Sequence, residues 1–76
     1  MIQPYYIDLY DWAASLIIDF PDDPIPVLYR DMDWKDWGNQ LILCNSFYEA
    51  GAPGTFNYDD WLNWAQDVYL AMLDSA

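Results

Sequence analysis

Apolar residues recur with helical spacing in the first part of the chain. After Leu9 they fall three, four, seven, eight and eleven positions later, at Trp12, Ala13, Leu16, Ile17 and Phe20. This spacing is typical of one face of an α-helix. Asp8 is a suitable N-cap, and Pro21 stops the helix because proline cannot continue it. The pattern therefore predicts a first helix from about Asp8 to Phe20, followed by a rigid proline-rich connector.

A second helix is predicted from about Asp33 to Ala50, with Gly51 as its C-terminal cap. Its main apolar stripe consists of Trp34, Trp37, Leu41, Cys44 and Tyr48. Gly38 weakens the helix and marks a point where it can break into two shorter ones. The residues around 27–37 leave two alternatives open, an extended piece or a short additional helix.

The third predicted helix runs from Asn57 to the end of the sequence. Asn57 can cap it, Asp60 then stands at the third helical position, and Phe56 can pack onto Trp61. One broad apolar face contains Tyr58, Trp61, Leu62, Ala65, Val68, Tyr69, Met72 and Leu73.

Three amphipathic helices with short connections predict an all-α fold, a small three-helix bundle. We expect helix content well above half and one acidic helical domain over residues 1–76, with no internal repeat. The residues expected in the core are Trp12, Leu16, Leu41, Trp61, Ala65 and Val68.

Charge changes the picture from fold to function. Thirteen acidic residues face two basic ones, for a net charge of −11. Nucleic acids and anionic membranes attract proteins through Lys and Arg, so direct binding to either is not expected. The excess indicates a basic partner instead. With no secretory signal or membrane-length apolar run recognisable, and a lone cysteine that suits a reducing compartment, we expect a cytoplasmic protein.

The residues that usually carry catalysis or metal binding are scarce. The chain has no histidine, and its single cysteine, Cys44, falls on an apolar helix stripe. The serines stand in no recognisable triad context. The segment 31–36 resembles a calcium loop, but Lys35 occupies a ligand position and Asp36 replaces the turn glycine. We therefore expect no enzyme, no catalytic residue, no metal site and no cofactor.

The acids themselves form the informative pattern. On the first helix Asp8, Asp11, Ser15 and Asp19 follow helical spacing on a face turned away from the core, and on the third Asp60, Asn63, Asp67 and Asp74 do the same. Such stripes extend roughly 16 Å and 21 Å, and duplex DNA carries one phosphate per ~1.7 Å of axis. The residues expected to bind a partner are Asp8, Asp11, Asp19, Asp22, Asp23, Asp59, Asp60, Asp67, Asp74 and Trp64.

Asp67 and Asp74 fall toward the negative end of the last helix dipole, where acids are unfavourable. A small, strongly acidic chain with Asp-decorated helices, such as Asn57-Tyr58-Asp59-Asp60-Trp61-Leu62-Asn63-Trp64, resembles the phage-encoded inhibitors of host defence, which include anti-CRISPR proteins and other DNA mimics. The resemblance lies in size and charge. It implies a host cytoplasmic protein that occupies the nucleic-acid-binding groove of a CRISPR effector, nuclease, restriction enzyme or repair enzyme.

Two other interpretations remain. The chain can be an interaction module whose aromatic patch, around Trp34, Trp37, Trp64 and Tyr10, binds a partner or a second copy of the chain, with charge serving solubility. Adaptation to high salt would also favour Asp over Lys. Salt separates the three interpretations: a charge-driven complex weakens steeply as salt rises, a complex through the aromatic patch weakens little, and a salt-adapted protein folds poorly without salt.

Overall fold

The computed structural model describes residues 1–75 and contains four α-helices. They are α1 (Leu9–Asp19), α2 (Trp34–Leu41), α3 (Asn45–Glu49) and α4 (Trp61–Asp74), preceded by a 3-10 helix at Pro4–Tyr6. Within the described residues there is no strand, and helices account for 55% of the chain. The all-α class is confirmed. The three-helix bundle is not confirmed, since the predicted second helix is divided in two, and the helix content only just exceeds half.

The helix α1 has the predicted boundaries. Asp8 caps it, with its Oδ1 accepting a hydrogen bond from the backbone N–H of Asp11 at 2.8 Å. At the other end the N–H of Phe20 donates to the carbonyl of Leu16 before Pro21 ends the helix. Ile17, placed on the core face by its spacing, is 41% exposed.

The predicted second helix breaks at residues 42–44, one turn beyond Gly38. The N–H groups of Leu43 and Cys44 bond to carbonyls three residues back, which tightens the last turn of α2. Cys44 is then extended and begins α3. This change of helix phase leaves Tyr48 73% exposed, so the single stripe that joined it to Trp34 was wrong.

Gly38 lies inside α2 for a packing reason. A Cβ at this position would meet Thr55 Cγ2 at 2.7 Å and Trp64 Cη2 at 2.9 Å. The buried Thr55 is itself held by Asn39, whose Oδ1 accepts hydrogen bonds from the Thr55 hydroxyl at 3.0 Å and N–H at 3.3 Å. The glycine thus allows α2 to approach the loop before α4.

The helix α4 begins later than predicted. Asp60, not Asn57, is the N-cap, and its carboxylate accepts from the backbone N–H of Asn63 at 2.9 Å and from the Asn63 amide at 3.0 Å. Phe56 is 83% exposed, so the expected packing onto Trp61 does not form. Thr55, the neighbour of Phe56 in the chain, is buried and held by Asn39.

A six-residue pattern recurs at the start of three helices, although no internal repeat was expected. The first residue is Asp, the second is Leu or Trp, the fifth is Trp and the sixth is Ala or Gly, and the pattern occurs at 8–13, 33–38 and 60–65. In each copy the Asp is the N-cap, and the fifth residue is a fully buried tryptophan, Trp12, Trp37 or Trp64. Eight residues after each Asp stands a fully buried aliphatic residue, Leu16, Leu41 or Val68.

The three tryptophans of this pattern meet at the centre of the molecule. Their ring centroids are 6.1 Å (Trp12–Trp37), 6.0 Å (Trp12–Trp64) and 6.0 Å (Trp37–Trp64) apart, and every pair is edge-to-face. This is the arrangement that the charge distribution of aromatic rings favours. We call this cluster the tryptophan triad.

Each indole of the triad also holds a non-helical segment. Trp12 Nε1 donates to the carbonyl of Ile2 at 3.1 Å, Trp37 Nε1 to Pro26 at 2.8 Å, and Trp64 Nε1 to Pro53 at 2.8 Å. The buried N–H groups are thereby satisfied. The N-terminal segment, the proline-rich connector and the loop before α4 are all fixed to the core.

Around the triad, the core is completed by Ala13, Cys44, Phe47 and Ala65. Five of the six expected core residues are fully buried, and Trp61 is only partly buried. Across the described residues, none of the helices combines the length and apolar character needed to cross a membrane.

Candidate functional site

The carboxylates lie on the surface of the domain. Twelve of the thirteen acidic residues are exposed, and the remaining one, Asp23, is half-buried. The acidic residues proposed from the sequence to bind a partner are therefore accessible: Asp8, Asp11, Asp19, Asp22, Asp59, Asp60, Asp67 and Asp74, with Asp23 partly so.

This negative charge is not neutralised by the basic side chains. The guanidinium of Arg30 lies over the ring of Tyr10 at 5.6 Å, and the ammonium of Lys35 over the ring of Trp34 at 5.8 Å. Among residues 1–75 the one ion pair joins the amino group of Met1 to Asp19 Oδ2 at 3.9 Å. The surface thus presents its carboxylates to solvent, free to attract cations.

Part of the acidic excess supports the helices. Asp8, Asp33 and Asp60 are side-chain N-caps, and Asp11 and Asp36 stand in first turns, where the helix dipole favours negative charge. Five of the thirteen acids therefore have a structural reason for their positions. Asp33 and Asp36 were not among the predicted site residues, although an Asp before Trp-x-x-Trp was a signal for a cap.

A second group of acids has the opposite placement. Asp19, Glu49 and Asp74 are the last residues of α1, α3 and α4. Carboxylates there lie at the negative ends of the helix dipoles, a position that destabilises a helix by about 0.3–1 kcal/mol. Glu49 was not among the predicted site residues, although the helix containing it was predicted to end at Ala50 with Gly51 as its cap. The positive φ of Gly51, 73°, is the local signal for this helix end.

The two predicted acidic stripes have different outcomes. Ser15 is buried and its hydroxyl donates to the carbonyl of Trp12 at 2.6 Å, so the stripe on α1 is divided. Asp8 and Asp11 lie at one end of that helix and Asp19 at the other. On α4, Asp60, Asn63, Asp67 and Asp74 are all exposed, and the exposed Leu70 lies between the last two.

Asp67 is partly engaged within the domain. The hydroxyl of Tyr58 donates to Asp67 Oδ2 at 2.6 Å. This bond, with a smaller contribution from burial, raises the pKa of Tyr58 to about 12. The bond holds the Asp67 carboxylate in position.

The inclusion of Trp64 in the partner-binding set was wrong. Its ring is fully buried in the tryptophan triad, and its N–H is used by Pro53. Of the proposed aromatic patch, Trp37 is also fully buried, Trp34 is half-buried and Tyr10 is exposed. The apolar side chains that are most exposed are instead Tyr5, Tyr6, Tyr29, Ile18, Leu43, Tyr48 and Phe56.

The described residues contain no group of three metal-ligating side chains. Cys44 is a free, buried thiol whose pKa is raised first by burial and then by the charge of Asp23. Its Sγ lies 3.5 Å from the carbonyl of Pro24, a contact that links α3 to the proline-rich connector.

Comparison with known protein families, characterised proteins and solved structures finds no match to this chain.

Proposed function

We propose that this protein binds a basic surface of another macromolecule and blocks it by imitating the charge of a nucleic acid. The observation that carries the proposal is the set of exposed carboxylates without Lys or Arg partners. Surfaces that hold nucleic acids are lined by Lys and Arg, which such carboxylates would engage as phosphates do. The protein itself would bind neither nucleic acid nor membrane.

Placement of the charge supports a role beyond solubility. A solubilising surface usually mixes both signs and places acids where they also stabilise the helices. Here Asp19, Glu49 and Asp74 stand at helix C-termini, and the two cations pack on aromatic rings. The domain bears this self-repulsion without a disulfide or metal cluster among its described residues. Binding of a basic partner would relieve it.

The exposed face of α4 that carries Asp60, Asp67 and Asp74 is our first candidate for the contact surface. Asp60 and Asp67 are held by hydrogen bonds to Asn63 and Tyr58, so their carboxylates are partly ordered before binding. Fixed charges lose less conformational entropy on association than mobile ones. The nucleic-acid-handling proteins of host defence systems, which the size and charge of the chain suggest, would offer the complementary basic groove.

The experiment compares three charge-matched triple variants. Two remove predicted contacts, Asp60→Asn/Asp67→Asn/Asp74→Asn and Asp8→Asn/Asp11→Asn/Asp19→Asn. The third, Asp31→Asn/Asp33→Asn/Asp36→Asn, removes the same charge at α2, outside the predicted contact set. Asn remains a good N-cap, so the helix starts should persist in all three.

Immobilised wild-type protein should capture a basic partner from host-cell lysate at low salt, and a duplex DNA oligonucleotide should release it. The α4 triple variant should capture less of that partner, and its binding should depend less on salt, while the α2 variant should retain it. Retention by both contact variants, with no release by DNA or RNA, would refute nucleic-acid mimicry. Weak salt dependence would then favour docking through the exposed apolar residues, Ile18 and Tyr6 among them.

A further inference from the structure

A groove of about 600 Å³ opens where three helix ends meet. It is lined by Phe20, which follows α1, by Glu49 and Ala50 at the end of α3, and by Met72 and Leu73 near the end of α4. The volume falls within the ~300–1,000 Å³ range of ligand-binding clefts. Asp60 and Asp67, on the exposed face of α4, are not among its lining residues, whereas Asp74, at the end of that face, is the chain neighbour of the lining residues Leu73 and Ser75.

The floor and the rim of this groove differ in chemistry. Phe20, Met72 and Leu73 supply apolar surface, whereas Glu49 adds a carboxylate to the lining itself. Asp19 and Asp74 are the immediate chain neighbours of the lining residues Phe20 and Leu73. All three acids are exposed, and each terminates one of the three helices.

The electrostatic field at this place has two sources of the same sign. The C-terminus of each helix carries a partial negative charge from its unpaired carbonyl groups. Glu49 and Asp74 add full negative charges at those ends. Arg30 and Lys35 do not line the groove, since neither side chain is among its walls. Met1 does line it, and its amino group is paired with Asp19 Oδ2 at 3.9 Å. Glu49 and Asp74 are therefore the carboxylates at these helix ends that have no ion-pair partner among residues 1–75.

We infer that the groove receives an arginine or lysine side chain projecting from the basic partner. Long cationic side chains pack their methylene stems on apolar surface and keep the charged head among polar groups. The apolar surface formed by Phe20, Met72 and Leu73 suits the stem, and the Glu49 carboxylate in the lining suits the head. The inference rests on the proposed function in one respect, that the partner is basic.

The probe for this inference is a tetra-arginine peptide that is acetylated at its N-terminus and amidated at its C-terminus. Binding to the intact protein is measured by calorimetry, and the contact surface by amide chemical shifts. We expect the amide chemical shifts of Ser46, Ala50 and Ser75 to change, because these residues line the groove.

Two matched pairs of variants distinguish binding in the groove from non-specific attraction of the peptide to the negative charge of the protein. Glu49→Gln/Asp74→Asn should weaken peptide binding by at least about fivefold, whereas Asp31→Asn/Asp59→Asn, with equal charge loss, should weaken it by less than about twofold. Leu73→Ser should weaken binding by about threefold or more without any change of charge, and Leu70→Ser should not. Leu73 and Leu70 are 51% and 48% exposed on the same helix, so neither change should unfold the domain.

Any of three results would overturn the groove as the binding site. The first is an equal loss of peptide affinity in the two double charge variants, the second is equal affinity of the two leucine variants, and the third is no binding of the peptide. The proposed function is judged separately, by whether DNA displaces the captured partner. If the peptide binds in the groove but DNA does not displace that partner, nucleic-acid mimicry fails and the groove remains. If DNA displaces the partner and the groove variants behave like their controls, nucleic-acid mimicry stands and the groove fails.

Discussion

Trp64 packs against two consecutive residues of α2: its ring meets Trp37 edge-to-face, with the centroids 6.0 Å apart, and it also lies against Gly38. A Cβ on Gly38 would come within 2.9 Å of Trp64 Cη2. The helix α2 and the helix α4 are thus joined through one indole, with a glycine as the condition for their close approach. Four predictions follow from this core and from the surface around it.

Gly38→Ala should destabilise the domain, although alanine is the better helix former by about 1 kcal/mol. The new methyl group would clash with Thr55 and Trp64, and neither can move easily, since both are buried and hydrogen-bonded. We expect a net loss of about 1–3 kcal/mol in the free energy of unfolding. Urea denaturation measures it. Gly54→Ala is the control, with its nearest neighbour an exposed Phe56 ring at 3.4 Å, and an equal loss there would contradict the packing argument.

Trp64→Phe should cost about 2–4 kcal/mol, from the smaller ring and from the unpaired carbonyl of Pro53. This loss is large for a domain of 76 residues. Phe56→Ala removes an aromatic ring that is 83% exposed and should change stability by no more than about 0.5 kcal/mol. The urea midpoints of the two variants provide the comparison. A Trp64→Phe protein as stable as the wild type would mean that the triad is not the core.

Asp60→Ala should destabilise the domain by about 0.5–2 kcal/mol, because the N-cap of α4 is lost. Asp59→Ala removes the same charge from the adjacent position, which is outside the helix and exposed. It should leave stability unchanged or raise it slightly through reduced repulsion. Thermal unfolding of both variants tests this difference. If Asp59→Ala were the more harmful change, the helix would begin elsewhere.

Tyr58 should ionise late in an alkaline titration, with a pKa of about 12 against an ordinary value of 10. The fold favours the neutral phenol, so its contribution to stability is complete below pH 10 and disappears as pH rises from 10 to 12. Ultraviolet absorbance of the phenolate follows this ionisation, and Tyr58→Phe identifies it. Asp67→Ala should lower the pKa, since the hydrogen bond to Asp67 is the main cause, whereas Asp74→Ala should not. An unchanged pKa in Asp67→Ala would exclude that bond.

Helical spacing was sufficient to predict α1 with its cap at Asp8, and most of the buried positions. Those features depend on contacts within a few turns, which periodicity reports directly. The start of α4 was misplaced because Asn57 and Asp60 are both good caps, and the choice between them depends on Thr55 being held by Asn39, sixteen residues away. The break at 42–44 likewise accompanies a contact from Cys44 to Pro24, which no local pattern reveals.

The candidate site was predictable in its charge but not in its arrangement. A count of Asp residues established that the surface is acidic, whereas the role of each acid depends on where a helix ends. Glu49 was not proposed because the predicted acidic stripes were confined to the first and third helices. Trp64 was assigned to the surface as part of an aromatic patch with Trp34, Trp37 and Tyr10. The edge-to-face packing of Trp12, Trp37 and Trp64 explains how all three fit inside.

The hydrogen bonds from the three indoles to Ile2, Pro26 and Pro53 have a consequence for how the domain is degraded. Surface segments are usually the sites where a protease first cuts a folded protein, through local opening. Here each long non-helical segment can detach only if a central indole loses its partner, which disturbs all three at once. Resistance to a protease should therefore follow the global free energy of unfolding rather than the looseness of any single loop.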